Sequence, residues 1–408
     1  MTEAVLAVDF GTSNSAAAVL ADGRVRRLPI EAGAETLPTA VFFPVGGAMQ
    51  IGQAATEALI DGEEGRYMRS LKSVLGTPLL HEARLIGGKR RSLADVITAF
   101  LTTLRERAEA QTGQRFRRVL SGRPVHFHTA DAARDAQAEA DLRACYLAAG
   151  FAEVAFLPEP EAAARASVGE AGEVGLIVDI GGGTSDFTLF RRGAGIEILA
   201  SHGVRLGGTD FDHAISLSHV MPEFGLGGEL TRTLGEGRLP VPKAVYVDLA
   251  SWAMIPFLYT AEVRRMVDDL VAHAVDRVRM ERLRTVLRDE LGHDVAFAVE
   301  RGKIAANGGA RGAIPLGLVE PGLNVPVTEG TINAALGDAR EGLVRAVYDT
   351  LTLAKTAPGG VDHVILVGGS SLMRVVADVM RQICPGARVS RAEAFIAVVD
   401  GLALATGE

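Results

Sequence analysis

Residues 175–190, GLIVDIGGGTSDFTLF, constrain the fold more than any other stretch of the chain. Leu176, Ile177, Val178 and Ile180 form an apolar, largely β-branched run too short for a helix, which reads as a strand buried on both faces. Asp179 inside that run is costly unless it is paired or faces a cation. Gly181, Gly182 and Gly183 follow, and glycine lets backbone N–H groups approach an anion without a Cβ in the way. Thr184, Ser185 and Asp186 then offer hydroxyls and a carboxylate at the turn before Thr188 to Phe190 resume the strand. By itself this is either an ordinary glycine-rich turn or a hairpin whose tip holds a phosphate, with an acid placed to meet its metal.

The device occurs twice. Residues 4–20 read AVLAVDFGTSNSAAAVL, and aligning Asp9 with Asp179 aligns Gly11 with Gly181 and strand with strand. Two copies imply two similar halves, each presenting a hairpin to one polyphosphate between them. Neither turn carries a P-loop lysine, and neither opens a helix as a dinucleotide-binding turn would.

Composition narrows the partners. The 408 residues are enough for two or more domains with full cores. A net charge of −8 argues against nucleic acid or an anionic membrane as the main partner. Cys145 and Cys384 are the two cysteines and lie far apart in sequence, so no disulfide framework or cysteine metal site is expected, and a reducing cytoplasm fits. The start lacks the basic residues and apolar length of a signal peptide, and no apolar run reaches the ~20 residues of a membrane span.

Along the rest of the chain, residues 25–30 and 40–44 read as strands, the latter in a hairpin through Gly46-Gly47. Residues 93–111 form an amphipathic helix, and residues 124–127 continue a strand begun at 117–120. Thr129 or Asp131 caps the next helix, which stops at Gly150. His126 and His128 read as strand or loop residues rather than ligands. Lys72 is either a solvated surface lysine or a cation held in a site. Glu159, between two prolines, is either an acid favoured by a helix N-terminus or a fixed functional carboxylate. Residues 169–175 are the expected hinge between halves. Gly207-Gly208 lead into a helix at 211–219 with Thr209 and Asp210 as caps. Residues 252–291 are mostly helical, 297–306 form another helix, 314–316 and 325–327 are edge strands, and 332–352 is one amphipathic helix. A buried strand at 363–367 runs into Gly368-Gly369-Ser370, a backbone able to lie against a planar ring, and a helix over 394–405 closes the fold.

The stretches AVDFGTSNS, LKSVLG, LPEPEAAARA, IVDIGGGTSDFTLF, VRLGGTDFD, VERGKIAAN and ILVGGSS occur in one order. Together they resemble the ATPase domain of the heat shock protein 70 (DnaK-type) family over nearly the whole chain. The resemblance implies an α/β, two-lobe actin-like ATPase with ribonuclease H-like duplicated lobes and a nucleotide cleft between them. Lobe I would be 1–170, with 38–113 as its outer subdomain and 388–408 as its closing helix; lobe II would be 171–387, with 211–310 as its outer helical subdomain. ATP or ADP and Mg2+ are the implied cofactors. Asp9 and Asp179 would hold the metal through water, and Gly11, Thr12, Ser13 and Asn14 would bind the β-phosphate side. Lys72 would neutralise the γ-phosphate and position the attacking water, Glu159 would orient water and metal ligands, and Asp179 and Thr184 complete the catalytic set. Gly181, Gly182, Gly183, Thr184, Gly207, Gly208 and Thr209 would cradle phosphates; Glu300, Lys303, Asn307, Gly368, Gly369 and Ser370 would bind ribose and adenine. Such a set suits phosphoryl transfer, which needs positioning, a metal and fixed dipoles more than covalent chemistry.

Three departures from the family pattern stand out. Glu408 falls where the peptide-binding β-domain and lid would begin, Ile304 and Leu372 stand where basic residues usually flank adenine, and Thr209 replaces an acid. The implied function is a slow ATPase whose lobes open and close with nucleotide to regulate a protein client or cochaperone, as a cytoplasmic monomer. The alternatives are a small-molecule kinase using Asp186 or Asp210, an actin-like filament protein, and a nucleotide-binding pseudo-ATPase.

Overall fold

The structure is a computed structural model and describes residues 4–31, 33–128, 131–167, 169–193, 195–232, 235–307, 309, 311–391 and 396–407. The chain forms two compact units, Met1–Gly208 with Glu341–Glu408, and Thr209–Arg340.

The first unit contains two sheets of one topology. The first orders Glu153–Pro158, Arg118–Arg123, Val5–Phe10, Asn14–Ala21 and Arg24–Leu28, with Leu37–Pro38 added beside Asn14–Ala21. The second orders Arg388–Arg391, His363–Val367, Val174–Ile180, Ser185–Arg192 and Ile196–Val204. In each, the first three strands of the chain form an antiparallel meander and the last two add in parallel. The hairpin turns close alike, Gly11 N–H donating to Asn14 O at 3.1 Å and Gly181 N–H to Thr184 O at 3.0 Å. The paired half expected from the sequence is therefore a repeated sheet.

Helices Glu159–Ala166 and Ala397–Ala405 pack on each other and on these sheets. Their core is made of small residues, Ala162, Ala163, Ala164 and Ala403, with Ala7, Ala16, Ile177 and Val367 from the strands. Small side chains let the two helices approach closely; a Cβ on Gly401 would overlap the Ala162 carbonyl. A second core lies under Leu93–Thr112, which buries Val96, Ile97, Phe100, Leu101 and Leu104 in the predicted three-and-four spacing. That helix starts in a Ser92–Asp95 capping box and ends at Gly113, φ 68°. The predicted hairpin through Gly46-Gly47 joins Ala40–Pro44 to Gln50–Ile51, and Gly65–Arg69 flanks it.

The second unit has its own core, with Val267, Leu270, Leu283, Leu287 and Trp252 buried. It carries Ala261–His273, Arg277–Arg288 and Gly292–Ala306, and the predicted proline-bearing strands pair as Gly312–Pro315 with Asn324–Val327.

Several elements differ from expectation. Residues 124–127 are not strand: Pro124 has no N–H to give, and the next N–H groups turn to carboxylates, Val125 to Asp186 and Phe127 to Asp135. The single helix expected over 332–352 is two, Glu329–Ala335 and Gly337–Leu353, parted at a glycine. The helix expected at 211–219 begins earlier, as Gly208–Ile215, and passes into a wider turn at Ser216–Val220. The segment 252–291 is interrupted where Val275 N–H donates to Glu229 O. The helix expected at 297–306 begins at Gly292. The expected hinge at 169–175 ends inside the strand Val174–Ile180. Asp131 caps Ala132–Ala148 through Arg134 N–H, whereas Thr129 and the expected helix start at 394–395 lie outside the described residues. Among the described residues no helix is long and apolar enough to cross a membrane.

Candidate functional site

The strand Gly65–Arg69 leads through Ser70, a left-handed residue (φ 60°, ψ 32°), into a short 3-10 turn over Leu71–Val74. A non-glycine residue in that region is strained and persists only where its surroundings fix it. The turn carries Lys72, whose side chain is only 6% exposed and whose Nζ lies 2.6 Å from Glu159 Oε1. Glu159 is the first residue of Glu159–Ala166, with Pro160 next in its opening turn, and an acid there is favoured by the helix dipole. The surface reading of Lys72 is thereby removed: the ammonium is buried against a fixed carboxylate.

Around this pair the sheets bring three more acids. Asp9 is the penultimate residue of Val5–Phe10, the central strand of the first sheet, and Asp179 and Asp186 face each other across the hairpin of the second. Burial and then the Glu159 carboxylate raise Asp9 to about 7, with Lys72 opposing. Burial, Glu159 and Asp186 raise Asp179 well above the ordinary carboxylate range. Burial and Glu159 raise Asp186 to about 8, against hydrogen bonds from Val125 N–H and the Thr184 hydroxyl. Burial alone would lower Lys72, but Glu159, Asp9 and Asp186 outweigh it and hold the ammonium above its usual value. Four acids thus share one buried cation, and the repulsion left over is what an added divalent cation would relieve. Among the described residues no three His, Cys, Asp or Glu converge closely enough to ligate a metal directly.

Four turns meet above the acids. A Cβ on Gly182 would overlap Ser13 Oγ, and one on Gly207 would stand 2.5 Å from Gly183 N. Gly208 N–H donates to Gly181 O at 2.9 Å. Gly368 adopts φ +80°, and a Cβ there would stand 2.6 Å from Asp179 Oδ1. Ser370 lies against Gly208, and Ser371 Oγ donates to Gly368 O at 2.7 Å. The glycines therefore serve the approach of backbone to backbone as much as any approach to a ligand. Of the residues predicted for the site, Asp9, Gly11 to Asn14, Lys72, Glu159, Asp179, Gly181 to Thr184, Gly207, Gly208 and Gly368 to Ser370 belong to the first unit.

Thr209, Glu300, Lys303 and Asn307 belong to the second unit. Thr209 lies in the first turn of Gly208–Ile215. Glu300 and Lys303 are on Gly292–Ala306, and Asn307 ends that helix. Lys303 is buried and its Nζ pairs with Asp212 Oδ1 at 2.8 Å, while Trp252 Nε1–H donates to Asp212 Oδ2 at 3.4 Å. Ile304, beside it, is 63% exposed.

Sequence reasoning left Asp186 out of the ATPase set. The signal was present: the hairpin register pairs Asp179 with Asp186, where the first hairpin pairs Asp9 with Ala16, so the repeat is broken by one added acid.

Two sheets of one topology, each sending a hairpin turn over buried carboxylates and a buried lysine, define the class of actin-like two-lobe ATPase folds. The chain belongs to the Hsp70 family: residues 5–231, more than half of it, match the family model "Hsp70 protein". It is 34% identical over 246 residues to a chaperone protein HscA homolog of Pseudomonas putida, covering 55% of this chain and 38% of that protein. It is 33% identical over 219 residues to the chaperone protein DnaK of Thermotoga petrophila, covering 52% of this chain and 35% of that one. The matched region thus spans well under half the length of either relative.

Proposed function

We propose that this chain binds ATP with Mg2+, hydrolyses it slowly, and uses the associated opening and closing of its lobes to regulate a protein partner. The observation that carries the reading is the buried Lys72–Glu159 pair set among Asp9, Asp179 and Asp186 beneath the converging glycine turns. Lys72 supplies the charge for the terminal phosphate and positions the attacking water. Glu159 holds Lys72 and orients that water. Asp9 and Asp179 would hold the cation, whose charge would offset that of the phosphates. Thr184 and the glycine turns offer hydroxyl and N–H donors to phosphate oxygens.

The remaining features are part of the same proposal. Lobe I would span 1–170 with its outer part at 38–113 and closing helix at 388–408, and lobe II would span 171–387 with its outer part at 211–310. Glu300, Lys303, Asn307, Gly368, Gly369 and Ser370 would take ribose and adenine. The partner would be a client or cochaperone protein, and the chain would work as a cytoplasmic monomer apart from nucleic acid and membranes. The names of the two relatives, chaperones both, support the partner class.

Titration calorimetry with ATP and Mg2+, followed by a phosphate-release assay, tests the reading. Saturable binding with slow turnover is expected. A Kd in the millimolar range or weaker would overturn it, and tight binding without turnover would reduce it to a nucleotide-dependent switch.

A further inference from the structure

Lys72, Thr12, Gly183 and Thr184 line a cavity of about 30 Å³, and its remaining wall includes Arg205. The cavity has room for one or two waters. Pro124 and Phe127 are also part of the wall, while the lining residues Lys72, Thr12, Thr184 and Arg205 carry an ammonium, two hydroxyls and a guanidinium, groups that suit an anion.

Arg205 is held there at two points. Its Nη2–H donates to Ser73 O at 3.1 Å, one residue after Lys72. Its Nη1–H donates to His128 Nδ1 at 3.2 Å. His128 is buried, and its Nε2 lies 2.8 Å from Leu75 O. A carbonyl can only accept, so Nε2 carries the hydrogen and Nδ1 presents the lone pair that receives Arg205. The two anchors lie on the segment that carries Lys72 and on the loop after Arg118–Arg123. Arg205 is exposed, and among the described residues no carboxylate pairs with it, so its guanidinium keeps N–H donors for an anion in the cavity.

We propose that Arg205 is a phosphate-contacting residue of this site, a guanidinium supplied within the chain to the phosphoryl group that is transferred, with His128 as its positioning residue. The proposal rests on the ATPase reading above. In the hydrolysis, the water oxygen forms the new P–O bond. The P–O bond bridging to ADP breaks with its electron pair on ADP. The proton of the water leaves with phosphate and solvent. Charge grows on the bridging oxygen and spreads over the equatorial oxygens of the transferred group, and Lys72 and Arg205 flank the space those oxygens would occupy. Arg205 can offer a planar pair of N–H donors there, which the lysine cannot.

The test compares the full chain with Arg205→Ala, Arg205→Lys and His128→Phe. Readouts are single-turnover ATP hydrolysis, ADP affinity, and affinity for ADP with aluminium fluoride. Arg205→Ala is expected to lower the single-turnover rate roughly 100-fold and to weaken aluminium-fluoride capture, with ADP affinity unchanged. Arg205→Lys should recover part of the rate, and His128→Phe should lose rate while keeping ADP affinity. A wild type that hydrolyses ATP beside an Arg205→Ala variant of equal rate overturns the assignment of Arg205 alone. A wild type that binds no ATP overturns both readings.

Discussion

The decisive residue is Lys72. Its ammonium is shared by four buried acids, and Glu159 holds it at 2.6 Å. Replacing Lys72 by Ala leaves Glu159 uncompensated beside Asp9, Asp179 and Asp186, a loss of about 3–5 kcal/mol for breaking a buried pair. Chemical denaturation checks that value, and a phosphate-release assay on the same protein should find turnover abolished. Asp186 behaves oppositely. Burial and then repulsion from Glu159 disfavour its ionised form, so Asp186→Asn should raise the thermal midpoint of the nucleotide-free protein by about 2–4 °C while lowering ATP turnover. A lowered midpoint would show that the Val125 N–H and Thr184 contacts to Asp186 outweigh the repulsion.

At the scale of elements, the contact between Glu159–Ala166 and Ala397–Ala405 links the two sheets, and it depends on the absence of side chains. Gly401→Ala would drive a methyl into the Ala162 carbonyl, forcing the helices apart at a cost of roughly 1–3 kcal/mol, which urea unfolding would measure. The strand His363–Val367 makes stability depend on pH. His363 lies next to Ser390 and Arg388 of the neighbouring strand, with Nε2 2.6 Å from Ser390 Oγ and Nδ1 accepting from Arg388 at 3.2 Å. Burial and then the Arg388 charge hold it below the ordinary value of 6.5, with Glu173 opposing and Arg192 adding to the effect. A base whose folded pKa is lowered binds its proton more readily when unfolded, so its contribution to stability falls as pH drops below about 6.5. Unfolding midpoints of His363→Gln should therefore decline less than those of the wild type on acidification from pH ~7 to ~5. Equal slopes would remove His363 as a cause.

For the whole molecule, the proposed nucleotide binding would be linked to folding. If ATP with Mg2+ binds only the folded chain, a hundredfold excess over Kd adds about 2.7 kcal/mol of stability, and the gain should shrink when Mg2+ is chelated. Thermal melts with and without Mg2+ read this directly, and a midpoint indifferent to nucleotide would contradict the proposed function. Membership of the Hsp70 family follows from the matched residues 5–231; the output that such a clasp would drive stays with the proposal, since the relatives are matched over 38% and 35% of their lengths.

The sequence by itself determined the repeat. An apolar strand with an aspartate at its end, a short glycine-bearing turn and a returning strand are all local, and local patterns are readable without knowing what packs on them. It also carried the family motifs and thus the identities of Asp9, Lys72, Glu159 and Asp179. Only the tertiary structure decided the burial and company of those groups, because burial and distance belong to residues far apart in the chain: Lys72 meets Glu159 across 87 positions. Residues 124–127 show the same limit, since their β-like sequence yielded to a carboxylate 61 residues away that claimed the Val125 N–H. Arg205 was one more arginine in a glycine-rich segment until the fold set it beside Lys72, because a guanidinium's role depends on which anion or carboxylate lies within its reach.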